Sequence, residues 1–211
     1  MRASRKTPIS IEEKKLIKVL LDQGVLKEVD EGRIRELSGG ELMVTISCPD
    51  GHRVREHHDH MERCCNHDIQ HHVTRHGGAL AFADKSPLVS FIQHESGVCS
   101  IPRVYRLDLV LAYMVKTVAR SSISSIHFPC GAVREYNIVP HQVFQLFAAA
   151  LEQTKAEFRR YFPGRKGEEL ANGVIPVVFV CMDGTTEEMY FFDIKKWVSF
   201  CAAELVDPYW K

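Results

Sequence analysis

The run Ile123-Ser124-Ser125-Ile126-His127-Phe128-Pro129-Cys130-Gly131 stands between two segments of helical period. Before it, Arg106 to Ala119 carries Leu107, Val110, Leu111, Met114, Val115 and Val118 on one broad apolar face, the pattern of a packed helix. After it, Pro140 suits the first turn of a long helix reaching about Tyr161, with Val143, Phe144, Phe147, Leu151 and Phe158 inward. Pro163-Gly164 stops that helix. Ile123 to Phe128, apolar and too short for a helix of its own, therefore reads as a strand set between helices.

The same alternation extends in both directions. Leu42-Met43-Val44-Thr45-Ile46-Ser47, after Gly39-Gly40, predicts a buried strand. Further upstream, Ser10 and Glu13 have capping-box spacing, and Leu16, Ile17, Leu20 and Leu21 follow at helical intervals. This predicts an amphipathic helix over residues 10–23 that ends before Gly24. Downstream, Val174 to Met182 and Glu188 to Ile194 flank Asp183-Gly184 as a hairpin, and residues 195–205 suggest a closing helix. Strands separated by helices predict an α/β fold: a mostly parallel sheet flanked by helices, with an antiparallel C-terminal edge hairpin. The 211 residues suit one domain, with 1–38 as an N-terminal helical arm and 39–205 as the core.

Lys+Arg and Asp+Glu both number 27, so the formal charge is zero. That argues against a nucleic-acid or anionic-membrane binder, whose affinity rests on excess positive charge. The longest apolar run, Val174 to Met182, is nine residues, far below the ~20 that a spanning helix needs. No apolar stretch of signal-peptide type follows the basic N-terminus. The expectation is a soluble, cytoplasmic protein. Seven cysteines, an odd number, fit a reducing compartment better than a set of disulfides. With eleven histidines beside them, metal ligation is the first chemistry to consider.

Cys48 follows the first buried strand directly, and His127 lies near the end of the second. In open α/β sheets, ligands collect in the crevice beyond the carboxyl ends of the strands, so both side chains are expected in one crevice. Cys130 comes three residues after His127, close enough to reach the same ion from a sharp turn. Two sulfurs and an imidazole suit zinc, at about 2.3 Å and about 2.0–2.1 Å respectively, and three protein ligands leave the open position of a catalytic site. Asp50 is near enough in sequence to take that position or to bond a water there.

Cys48-Pro49-Asp50 after a strand, and His127-x-x-Cys130-Gly131, resemble the C-x-D-x-R and H-x-x-C-G signatures of the β-class carbonic anhydrases. Arg75-His76-Gly77-Gly78-Ala79 is similar to that family's R-N-A-G-N stretch, with His76 and Gly77 in place of Asn and Ala. Leu107 to Ala119 with Ile123 to His127 resembles the helix and strand that deliver the second signature, and Phe179 to Asp193 resembles the family's edge strands. The likeness covers roughly residues 40–195, and its specificity lies in the two signatures.

The resemblance implies that Cys48, His127 and Cys130 ligate a zinc ion that lowers the pKa of a bound water; the resulting hydroxide attacks carbon dioxide and bicarbonate leaves. It implies that Asp50 orients that water, or displaces it in a closed state, and that an Arg two residues beyond Asp50 pairs with it. Here that position is His52, with Arg53 one place further on. Imidazole is shorter than guanidinium, makes no bidentate fork and is mostly neutral above pH ~6.5. Three arrangements follow: His52 as a weaker partner, Arg53 reaching in, or no dyad. The resemblance also implies a homodimer or higher homo-oligomer, with residues 10–23 as the pairing arm.

Eight of the eleven histidines fall within residues 52–76, including His57-His58-Asp59-His60 and His71-His72, beside Cys64-Cys65. This segment reads as an insertion with three open uses. It could form a second metal site from His57, His60, Cys64 or His67, a polar loop and helix over the site mouth, or a proton relay. Cys99, Cys181 and Cys201 have no partners at ligand spacing and read as core residues; His94 and His141 read as surface or capping residues. Four functions stay in play: zinc-dependent hydration of carbon dioxide, hydrolysis of a sulfur analogue such as carbonyl sulfide, a non-catalytic zinc module that binds an anion or a partner, and a metal or redox sensor formed by Cys64-Cys65 and the His tract.

Overall fold

Strand β4 (Ser121–Phe128) is buried along all eight residues, although half of them are serines. It can be so because it lies in the middle of the sheet. The computed structural model describes residues 8–29, 43–48, 71–74, 77–83, 86–88, 121–184 and 186–210, and the structural statements that follow concern these. The remaining strands are β1 (Leu26–Glu28), β2 (Met43–Ser47), β3 (His71–Thr74), β5 (Val174–Val180) and β6 (Glu188–Phe192). They form one six-stranded sheet in the order β1-β6-β5-β4-β2-β3. The four strands β3, β2, β4 and β5 pair in parallel, and β6 and β1 continue the sheet antiparallel.

The helices are α1 (Ile11–Asp22), α2 (Gly131–Glu135), α3 (Pro140–Tyr161), α4 (Arg165–Asn172) and α5 (Ile194–Ala203), with a 3₁₀ turn at Gly78–Phe82. Helix α3 begins at Pro140 and buries Val143, Phe144, Phe147, Leu151 and Phe158, as its period requires. Phe144 is its hub: its ring stacks on Phe128 at 5.4 Å and tilts against Phe192 and Trp197 at 5.6 and 5.7 Å. This face of the sheet, covered by α1, α3 and α5, holds the main core. The opposite face carries a smaller cluster of Ile123, Ile175, Val177, Phe179 and Met189.

Helix α1 has the expected capping box: Ser10 Oγ accepts from the Glu13 amide at 3.1 Å, and Glu13 Oε2 accepts from the Ser10 amide at 2.6 Å. Its Ile17 and Leu20 are fully buried in the core of their own chain. No described helix is long and apolar enough to cross a membrane.

Three expectations need correction. The C-terminal hairpin is antiparallel but is not the edge, because β1 adds outside β6 and pairs Leu26 with Phe192. Residues 1–38 are accordingly not a purely helical arm, since Leu26–Glu28 belongs to the sheet. The His-rich stretch 52–76 is not all insertion, loop or helix: His71–Thr74 is β3, parallel to β2, with His71 opposite Val44. Alternating β-branched and aromatic residues normally signal a strand; paired histidines on a four-residue strand do not. The helix expected at 106–119 lies outside the described residues.

Candidate metal centre

Numbered from β2, the core strands run in the order 2-1-3-4-5, so the chain reverses its direction of travel across the sheet between β2 and β4. In open α/β sheets, a crevice for ligands opens at such a reversal, beyond the carboxyl ends of the two strands. Cys48 ends β2, His127 is the next-to-last residue of β4, and Cys130 caps α2 just beyond it. The β2–β4 register, Met43 opposite Ser121 through Ile46 opposite Ser124, carries on to set Cys48 level with Ile126, next to His127. The bond from Ser125 Oγ to Ile46 O, at 2.9 Å, ties the two strands in that register.

The two sulfurs and one imidazole nitrogen of Cys48, His127 and Cys130 lie within 4.8 Å of one another, and all three residues are buried. Among the described residues this is the one group of its kind. Tetrahedral zinc bonds of about 2.3 and about 2.0–2.1 Å place such donors about 3.5–3.8 Å apart. The spacing and the donor chemistry therefore fit a single ion. A buried Cys48-His127-Cys130 group could hold a metal.

The surroundings favour an anionic sulfur. The Cys130 thiol donates to Cys48 and holds it well below the ordinary thiol range, against desolvation; His127 and the Gly77 amide pull in the same direction. Cys130 moves the other way, first through that same bond and then through its own burial and the Cys48 charge. The thiolate is the form that ligates a metal, and this environment favours it at Cys48.

Gly77 was singled out in the sequence only for a likeness to a family stretch, yet its amide donates to Cys48 Sγ at 3.3 Å. Gly77 and Gly78 have φ of 75° and 59°, a left-handed pair that glycine adopts without penalty. A Cβ on Gly78 would stand 2.5 Å from Ser125 O and 3.1 Å from the Cys48 nitrogen. The adjacent glycines were the available signal: a backbone that must press against both strand ends leaves no room for a side chain.

No family model, curated protein or solved structure matches this chain. The chemistry therefore rests on the residues themselves.

Asp50, His52 and Arg53, the expected orienting carboxylate and its partners, lie outside the described residues. So do His57, His60, Cys64, His67, His94 and Cys99. Cys181, just past β5, and Cys201, on α5, are buried with free thiols, in keeping with core positions. His141 is neither a free surface residue nor a cap: it is half-buried on α3, with its ring 5.0 Å from that of Trp197.

Proposed function

We propose that this protein is a zinc-dependent, carbonic-anhydrase-like enzyme that hydrates carbon dioxide reversibly to bicarbonate, on a fold akin to the β-class enzymes. The observation that carries the reading is the convergence of Cys48, His127 and Cys130, buried at the point where the sheet reverses. The His127-x-x-Cys130-Gly131 and Cys48-x-Asp50 spacings support it from the sequence side.

In this reading Cys48, His127 and Cys130 hold the ion. When bound, zinc supplies a Lewis acid that brings the ionisation of water toward neutral pH. The protein's own groups do the rest. The Gly77 amide donates to Cys48 Sγ and keeps it aimed. Burial of the three ligands lowers the polarity around them, which strengthens every charge interaction there. Asp50, with His52 or Arg53 as its partner, would accept a hydrogen bond from a bound water and orient it. A proton must leave at each turnover, and imidazoles of the 52–76 segment have the pKa range to carry it.

One sequence observation favours a second reading. His52 stands where the family pattern has Arg; were Arg53 not to reach in, Asp50 would lack a bidentate partner and be freer to close the site. The protein would then be a non-catalytic zinc module.

Metal analysis with a carbon dioxide hydration assay on wild type, Cys130→Ala and His52→Arg separates the two. The enzyme reading expects about one zinc per chain and activity in wild type, with both lost in Cys130→Ala. Zinc without activity, recovered in His52→Arg, places the fault in the Asp50 partner. Zinc without activity in any form establishes the binding module. A wild type that takes up no zinc defeats both.

A further inference from the structure

Cys130 sits at the head of a very short helix. α2 has five residues, and within it the Arg134 amide donates to Cys130 O at 3.3 Å. A single turn is marginal by itself, because nucleation fixes several residues for one hydrogen bond. Ala132 and Val133 pack into the core on one side. The other side is held from a different element. Arg134 donates through its NH2 group to Glu13 Oε2 at 2.8 Å and to Pro8 O at 2.6 Å.

Glu13 is the acidic member of the α1 capping box, and its side chain is only 5% exposed. A carboxylate that served α1 alone could stay in water. Buried, it needs a cation, since an uncompensated buried charge is strongly unfavourable. The same oxygen that closes the box on Ser10 accepts from Arg134. Helix α1 is thereby coupled through one atom to the turn that carries a metal ligand.

We propose that Glu13 and Arg134 form a positioning clamp for the metal centre, fixing the Cys130 turn against the start of α1. Neither residue touches the ligand atoms; both act through the backbone of α2. The inference rests on the reading that Cys48, His127 and Cys130 hold zinc. Groups beyond the ligands that orient them typically contribute about 10–100-fold to metal affinity, and the clamp belongs in that range.

The test is zinc affinity by chelator competition at neutral pH, with the absorption spectrum of the cobalt-substituted protein as a second readout. Glu13→Gln keeps the shape and the capping bond but removes the charge pair; Arg134→Gln removes it from the more exposed side. Arg165→Gln, which loses an exposed ion pair to Glu169 on α4, is the control. Glu13→Gln and Arg134→Gln should each bind zinc at least about tenfold more weakly, with an altered sulfur-to-cobalt charge-transfer band. Arg134→Lys, which keeps the charge, should recover most of the loss, and Arg165→Gln should match wild type. Should Glu13→Gln fail to fold, the two Arg134 variants decide. Wild-type affinity and spectrum in a folded Arg134→Gln, even with a lowered melting temperature, overturn the clamp and leave the metal centre standing. A wild type that binds no zinc overturns both.

Discussion

Gly78 is where fold and site meet, and its replacement by alanine gives the most direct test of the packing. Two costs are separable. The first is conformational: φ is 59°, and a left-handed residue with a Cβ costs about 1–2 kcal/mol. The second is steric. The new methyl would lie 2.5 Å from Ser125 O and 3.1 Å from the Cys48 nitrogen. Both are backbone atoms, one within β4 and one just past β2, and cannot swing away like the tip of a side chain. Forcing one extra carbon into such packing typically costs about 1–3 kcal/mol, so the sum centres on about 3.5 kcal/mol. In a chain of this length each kcal/mol lowers Tm by about 2–4 °C, and the expected loss is roughly 7–14 °C.

Gly184 supplies the control. Its φ is 81°, with nothing within 4 Å of an added Cβ, so Gly184→Ala bears the conformational cost alone, about 1–2 kcal/mol. Thermal and urea unfolding of the two variants, in chelator to remove any metal contribution, isolates the steric part as their difference. Zinc affinity adds a second measurement, because displacing the Cys48 nitrogen moves a ligand. A Gly78→Ala protein no less stable than Gly184→Ala, with zinc affinity unchanged, would refute the close approach of residue 78 to the backbone of Ser125 and Cys48.

Chelation should itself be visible: zinc at about 100 times its Kd stabilises the fold by about 2.7 kcal/mol, and a Tm indifferent to chelator would contradict a bound ion. Phe144→Ala empties the centre of the ring cluster formed with Phe128, Phe192 and Trp197 and should cost about 3–5 kcal/mol in urea unfolding; a loss below about 1 kcal/mol would deny that hub. Asp193 caps α5 through the Lys196 amide and pairs with Lys27 at 2.7 Å. Burial opposes its ionisation, but the Lys27 ammonium and that amide outweigh it and lower its pKa. A lowered carboxyl pKa stabilises above the unfolded value, about 3.9, and the benefit is lost as pH falls through the folded value. Asp193→Ala should therefore cost about 1 kcal/mol at pH 7 and progressively less as pH falls below the unfolded value; a Tm difference that stays constant or grows on acidification would count against this assignment. The Cys201 thiol is pushed up to about 11 by burial and then by the Asp207 charge. It should resist iodoacetamide at pH 8 until the protein unfolds, and rapid labelling of the folded protein by mass spectrometric mapping would show otherwise.

The reach of the sequence depends on how each element is buried. Helix α3 was legible from end to end because Pro140 marks its first turn and one face repeats aromatic residues at helical spacing. Strand β5 was legible as an apolar run. Strand β4 was legible only from Ile123, although it begins at Ser121; a strand closed in on both faces can use serines, which carry no apolar signature. β1, with three residues, and α2, with five, are too short for any period to show. α4 is longer but largely polar, and its place follows from packing on α3 rather than from its own pattern.

The candidate site divides along the same line. Cys48, His127 and Cys130 were legible because each lies at or just past the end of an element that the sequence announces. Their supports were not: the Gly77 amide reaches Cys48 across 29 positions, and Arg134 reaches Glu13 across 121. What joins them is sheet register. With Ile46 opposite Ser124, two further steps bring Cys48 level with Ile126, beside His127. A slip of one residue would exchange the faces of β2, turning Val44 and Ile46 out of the main core and setting Thr45 and Ser47 in their place. The apolar residues that make such a slip costly are therefore the ones that hold the three ligands together, and the metal centre is as specific as the core beneath it.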